Sequence, residues 1–242
     1  MSTLVLDIET KGESYDEMDE PTREALTRWI DRETNDPKEH EELLTYVKEG
    51  MGFSPLTGEI IALGLLDVEK NKSVVYFQAP GEVFGEFQEN GVLFKQMDEA
   101  KMLFHFWKGV QKYSTLVTFN GRSFDVPFLM VRSAVHSIRP TKNFLSNRYM
   151  SLQRSEAKHV DLQEELSFYG ALRRKGSLHL WCRAFGIESP KIQGVSGNDV
   201  SRLFAQKQYK DIARYNVRDI EATRDLYIHW KKYLHFDYDN RR

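Results

Sequence analysis

The stretch Thr3-Leu4-Val5-Leu6-Asp7-Ile8-Glu9-Thr10 sets the reading of the whole chain. Its first half is a run of branched apolar residues, the composition of a buried strand, and the expected strand runs from Thr3 to Ile8. Asp7-Ile8-Glu9 ends it. Side chains alternate across a strand, so Asp7 and Glu9 point to one face and bring two carboxylates to one rim. Like charges that close repel unless something positive sits between them. Oxygen-rich acidic pairs suit Mg²⁺ or Mn²⁺, which bind a few carboxylates and keep water or phosphate as their other ligands. Solvated acids at a strand end fit the same three residues.

Two later stretches carry carboxylates of the same kind. Leu116-Val117-Thr118-Phe119 reads as a strand running into the Asn120-Gly121 turn, after which Asp125 enters an apolar helix expected over Phe124 to His136. The junction of strand and helix is where α/β sheets gather ligands. A favourable place in the helix dipole, with Pro127 close behind, also accounts for an Asp there. Tyr215-Asn216-Val217-Arg218-Asp219 lies in a long helical pattern, and a spacing of four puts Tyr215 and Asp219 on one face. A core tyrosine and an Asp paired with Arg218 or Arg224 fit that spacing too.

Working outward, Ile60 to Val68 and Ser73 to Gln78 alternate about the polar Glu69-Lys70-Asn71-Lys72 turn, as a hairpin does. A helix is expected from Asp98 to Lys112, strands at Thr115 to Phe119 and His159 to Leu162, and largely helical chain over Leu178 to Phe185 and Asn198 to Tyr233. Three antiparallel-capable strands followed by strand, helix, strand and helix describe an α/β sheet flanked by helices.

Residues 11 to 55 interrupt this order. They hold thirteen acidic and six basic side chains, a net of −7 against −2 for the 242-residue chain, which leaves +5 elsewhere. Asp36-Pro37-Lys38-Glu39 has a helix cap, a first-turn proline and a Glu three residues on. Leu43, Leu44 and Val47 form its stripe, and Ala25, Leu26, Trp29 and Ile30 form one for an earlier helix, so a helical pair is expected. By contrast, residues 132 to 183 carry ten Lys or Arg against four Asp or Glu, interleaved with Phe144, Tyr149, Phe168, Tyr169 and Trp181. That combination suits a stacking and electrostatic surface for a single strand.

The 40% hydrophobic content is that of an ordinary globular protein. Apolar runs such as Ile60 to Leu66 are too short to span a bilayer, and Met1-Ser2-Thr3 enters a strand without a signal segment, so a cytoplasmic location is expected. The single cysteine, Cys182, cannot form an internal disulfide and reads as a small buried hydrophobe.

Taken in order, Asp-x-Glu in a first strand, Asn-Gly-x-x-Phe-Asp after a middle strand and Tyr-x-x-x-Asp in a late helix resemble the three motifs of the DEDDy branch of the DnaQ-like 3′-5′ exonucleases. The resemblance is closest to the exonuclease domain of family-B DNA polymerases and its stand-alone relatives, and covers Thr3 to about Tyr233 apart from the insertion. It implies a ribonuclease-H-like mixed sheet flanked by helices, one exonuclease domain over residues 1–242 with the 11–55 insertion after the first strand. It makes Asp7, Glu9, Asp125 and Asp219 the ligands of two divalent cations, Mg²⁺ or Mn²⁺, with Tyr215 beside them holding or deprotonating the attacking water. A related branch has a histidine in place of Tyr215; His159, His179, His229 and His235 do not stand there and read as structural or surface residues, as does the carboxylate of Asp161.

The resemblance further implies that the backbone around Ile8 and Thr10 borders the terminal nucleotide and that Asn120 and Phe124 help hold the strand. Lys191, in the loop after Ser189-Pro190, could approach phosphate. The expected substrate is the 3′ end of single-stranded DNA; an RNA-trimming exonuclease and a non-catalytic nucleic-acid-binding module are the alternatives. The acidic insertion is expected to narrow access to single-stranded ends or to dock a protein partner.

Overall fold

The computed structural model describes residues 2–189 and 199–236. Strand β1 (Thr3–Gly12) is central in a seven-stranded sheet. It pairs antiparallel with β2 (Gly58–Asp67) on one side and parallel with β6 (Thr115–Thr118) on the other. β2 turns back into β3 (Lys72–Phe77), as the hairpin pattern requires, and β7 (Lys158–Asp161) lies parallel to β6 at the sheet edge. Strands β4 (Glu86–Glu89) and β5 (Val92–Gln96) complete the order β4-β5-β3-β2-β1-β6-β7.

One expected boundary is corrected, and two features were not foreseen. β1 does not stop at Ile8, because β2 supplies pairing partners as far as Gly12, with a register shift between Glu9 and Thr10. The β4–β5 hairpin was not expected, since Glu86-Phe87-Gln88-Glu89 has a single apolar residue. Its signal is Asn90-Gly91, whose φ values of 49° and 81° suit the two-residue turns that join antiparallel strands. The late helical region is broken: α8 (Val200–Ala205) and α9 (Tyr209–Tyr233) are separated at Lys207, which has a φ of 58°.

Alternation along β1 divides the core. Leu4, Leu6 and Ile8 pack with α4 (Glu99–Val110) and α5 (Asp125–Val135) through Met102, Phe106, Val126 and Phe128. Val5 packs on the opposite face with Ile220, Leu226 and Trp230 of α9. Further along the same face, Ile61, Val75 and Phe77 meet Ile212, Ala213 and Val217. The long helix therefore crosses β3, β2, β1 and β6, and its middle lies over the acidic segment of β1. Cys182 is buried as expected, in α7 (Leu178–Phe185).

The insertion forms three helices, α1 (Glu20–Thr27), α2 (Ile30–Glu33) and α3 (Pro37–Gly50), where a pair was expected. The chain breaks after Thr27, where the Trp29 indole turns back to the Leu26 carbonyl at 2.9 Å. Asp36 caps α3 through the Lys38 amide, but Glu39 accepts from the Thr34 hydroxyl at 2.6 Å instead of closing a capping box. The end of the insertion is tied to the sheet: Thr10 Oγ1 donates to the Gly52 carbonyl at 2.7 Å, and Gly12 approaches so closely that a Cβ there would lie 2.5 Å from Met51 Cβ. Among the described residues no helix is long and apolar enough to cross a membrane.

Candidate active site

β1 presents Asp7 and Glu9 toward α9, and one turn of α9 presents Tyr215, Asn216 and Asp219 back toward β1. One carboxylate oxygen from each of Asp7, Glu9 and Asp219 lies within 4.8 Å of the others. Glu9 and Asp219 are buried, while Asp7 is partly open to solvent. Burial first, and then the neighbouring Asp219 and Asp125, raise the Glu9 carboxyl well above the ordinary range. Burial, Asp219, Glu9 and Asp125 do the same to Asp7, against the opposing hydrogen bond of Asn216. Three acids packed so closely and mostly away from water are a poor arrangement for a protein and a good one for a divalent cation, which removes the repulsion and takes oxygen ligands.

Asp125 stands beside this trio. As the first residue of α5 its backbone follows the Asn120-Gly121 turn, where Asn120 has a φ of 64° and a Cβ on Gly121 would lie 2.3 Å from Thr118 Oγ1. Its carboxylate reaches past the end of the β1–β6 pairing and accepts the Ile8 amide at 3.1 Å. Burial pushes its pKa up to about 7, with its own amide and that of Ile8 opposing. Asp125 thus couples the second motif to the first strand through the backbone as well as through charge.

Tyr215 is buried on the same rim, one helical turn before Asp219 and close enough to feel its charge. Burial and then the charges of Asp219, Glu9 and Asp7 raise its pKa, so the phenol keeps its proton. The Arg218 guanidinium lies 5.7 Å from the Tyr215 ring centre.

Asn216 was not singled out from the sequence, yet it is fully buried and donates to Asp7 Oδ2 at 2.7 Å and to the Asp7 carbonyl at 3.3 Å. Its Oδ1 faces Gly64 of β2, where an added Cβ would sit 2.1 Å from that atom. A glycine inside an otherwise apolar strand is the sequence signal for such a close approach. Phe53 was missed as well. It extends from the end of the insertion and meets Phe124 edge-on, with ring centres 6.4 Å apart.

The remaining candidates separate clearly. Ile8 has its side chain in the core and its amide committed to Asp125. The Thr10 hydroxyl is held by Gly52. The Asn120 amide donates to Asp161, and Phe124 packs partly against the core beside Phe128. Lys191 lies outside the described residues. Asp161 is structural: it accepts the amides of Asn120, Arg122 and Gln163 at 2.9 to 3.0 Å and caps α6 (Leu162–Leu166). His159 is buried between the Thr118 hydroxyl and the Phe144 carbonyl, His179 contacts Ser189, His229 stacks on Phe185 and His235 lies against Trp230.

Residues 78–238 match a family model described as "Predicted 3'-5' exonuclease related to the exonuclease domain of PolB". That match takes in the Asp125 and Tyr215–Asp219 motifs and starts beyond β1. The chain is 26% identical over 211 residues to the catalytic chain of DNA polymerase epsilon from Schizosaccharomyces pombe, and 26% identical over 205 residues to those of Emericella nidulans and Aspergillus fumigatus. Each alignment covers 80% of this chain and 8% of the relative, so the chain spans a small part of their length. Among solved structures, a family B DNA polymerase from Pyrobaculum calidifontis superposes with a TM-score of 0.56 at 16% identity, covering 95% of this chain and 24% of the polymerase. That likeness bears out the expected α/β fold of ribonuclease-H-like type. The chain belongs to the family of predicted 3′-5′ exonucleases related to the exonuclease domain of PolB, and is an exonuclease hydrolase of that family.

Proposed function

We propose that the chain removes nucleotides from the 3′ ends of single-stranded DNA, with Asp7, Glu9, Asp125 and Asp219 as the ligands of two divalent cations, Mg²⁺ or Mn²⁺. The observation that carries this reading is the convergence of the Asp7, Glu9 and Asp219 carboxylates within 4.8 Å, with the buried Tyr215 one helical turn from Asp219. When bound, two such ions supply Lewis-acid stabilisation of the attacking and leaving oxygens in an in-line phosphoryl displacement.

The chain's own residues do the positioning. Asn216 orients Asp7, and Asp125 holds β1 in register through Ile8. Tyr215, protonated and one helical turn from Asp219, orients the attacking water instead of taking its proton. Phe124 and Phe53 offer aromatic faces at the rim for the terminal base, and the acidic insertion disfavours a duplex, whose charge density exceeds that of a single strand. The relatives above are the catalytic chains of DNA polymerases, which supports DNA over RNA. A cytoplasmic location is part of the same proposal.

Replacing Asp7 tests the assignment. Asp7→Ala abolishes Mn²⁺-dependent release of mononucleotides from single-stranded DNA; retained release refutes it.

A further inference from the structure

A cavity of about 680 Å³ lies beside the edge strand β7 and the C-terminal part of α9. Tyr149, Tyr169, Phe168, Lys158 and Trp230 are among the residues that line it. The size is that of a small-molecule or nucleobase pocket, and no residue of the acidic site is in its wall. We infer that it is a nucleobase subsite, where a base of the strand upstream of the 3′ end unstacks and lies against Tyr149 and Tyr169. The inference rests on the exonuclease reading above.

The aromatic geometry comes first. Of the aromatics between residues 132 and 183, Phe144 is in the core, with Trp181 partly buried against α9. Tyr149 and Phe168 are instead about half exposed, at 48% and 52%. The Tyr149 and Tyr169 ring centres lie 4.9 Å apart, and the Arg148 guanidinium sits 5.8 Å from the Tyr169 ring. Rings left at a surface beside a cation are the components of a base-stacking platform.

Backbone strain points the same way. Phe168 and Tyr169 have φ values of 50° and 56°, the left-handed region that side-chain-bearing residues seldom adopt, in succession. Such strain persists where the surroundings hold it and clusters at ligand sites. Here Glu165 fixes the Tyr169 hydroxyl by a hydrogen bond, so the unfavourable backbone presents an aromatic pair in one orientation.

Charge complements the ligand. Lys175 and Arg148 both pair with Glu164, whereas Arg173 and Arg174 are exposed and, among the described residues, have no carboxylate partner. These two lie in the segment that leads from Tyr169-Gly170 into α7, which packs against α9. In this proposal Arg173 and Arg174 meet the phosphates of a strand that runs from Asp219 along α9 to the cavity. The other wall is linked to the site as well: Glu165 follows Asp161 by about one helical turn, and Asp161 holds the Asn120–Arg122 backbone before Asp125.

The test uses the intact chain with saturating Mn²⁺ on single-stranded DNA of about 3 and about 12 nucleotides, lengths chosen to fall below and within the range of single-strand sites. Tyr149→Ala is expected to raise KM for the longer strand about tenfold with kcat unchanged, and to leave both parameters for the short strand as they are. Tyr149→Trp restores the long-strand KM. An Arg173→Gln, Arg174→Gln double variant lowers the salt dependence of long-strand binding by roughly two phosphate contacts. An unchanged long-strand KM in Tyr149→Ala, or a tenfold change shared by both lengths, overturns the subsite. Wild-type inactivity on both lengths overturns the exonuclease reading instead. The subsite is then decided by fluorescence anisotropy of the longer strand in chelator, where equal affinity of wild type and Tyr149→Ala refutes it.

Discussion

Asn216 Nδ2 lies 2.7 Å from Asp7 Oδ2, and the opposite side of the same amide faces the bare Cα of Gly64. The asparagine reaches a strand carboxylate from a helix only because the neighbouring strand has no side chain in the way. Asn216→Ala removes the donor and leaves Asp7 free to turn. Groups that orient a metal ligand are typically worth about 10- to 100-fold in metal affinity, so the Mn²⁺ concentration for half-maximal activity rises by that order. Gly64→Ala has the same effect without removing a polar group, because its Cβ would stand 2.1 Å from Asn216 Oδ1 and displace the amide. A metal titration of nuclease rate checks both variants; an unchanged midpoint in the two contradicts the positioning role.

The acidic cluster opposes folding when no cation is bound. Burial and mutual repulsion raise the folded-state pKa values of Asp7 and Glu9. A raised carboxylate stabilises the fold below the ordinary carboxylate range, and that contribution is lost as pH rises through the folded value. In chelator at neutral pH, Asp219→Asn therefore melts a few degrees (~2–4 °C) higher than wild type. Adding Mn²⁺ raises the wild-type Tm and moves the variant far less. Thermal melts with and without the ion check this, and a variant less stable than wild type in chelator counts against it.

His159 makes the opposite contribution on the acid side. Burial lowers its pKa from 6.5 to about 3, with Arg122 adding to the shift. A depressed histidine stabilises the fold fully above pH 6.5 and loses that stabilisation progressively as pH falls toward 3. The loss amounts to roughly 3–5 kcal/mol across that window, at 1.36 kcal/mol per pKa unit. His159→Gln removes the titration, so the difference in denaturant stability between wild type and variant shrinks from pH 7 to pH 4. A constant difference would contradict a buried neutral imidazole.

The insertion reaches the rim through Phe53, which meets Phe124 one residue before Asp125. Deleting residues 14–54 removes both the acidic helices and this ring. The shortened chain is expected to digest double-stranded ends relatively faster, and Phe53→Ala alone to raise KM for single strands by about fivefold. Comparative digestion of single- and double-stranded DNA measures this; an unchanged preference in the deletion sinks the proposed role of the insertion.

The legible parts of the sequence were those with a period or a local signal. The Leu-Val run of β1, the polar turn between β2 and β3 and the apolar stripe of α4 carry their structure in their spacing. The same is true of Asp7 with Glu9 and of Tyr215 with Asp219, which share a face by strand and helix geometry. Asp125 was named through resemblance, and its link to Ile8 joins residues more than a hundred positions apart. Asn216 and Gly64 were hidden for the same reason, because an amide reaching over one strand to another is a property of packing. The β4–β5 hairpin had its Asn90-Gly91 signal but too little apolar residue beside it to stand out.

The most direct test follows a 5′-labelled single-stranded oligonucleotide at single-nucleotide resolution with Mg²⁺, Mn²⁺ or chelator, using wild type and Asp7→Ala. The account predicts successive shortening from the 3′ end that requires the cation and Asp7. Internal cuts, or shortening that survives chelator or the loss of Asp7, would contradict it.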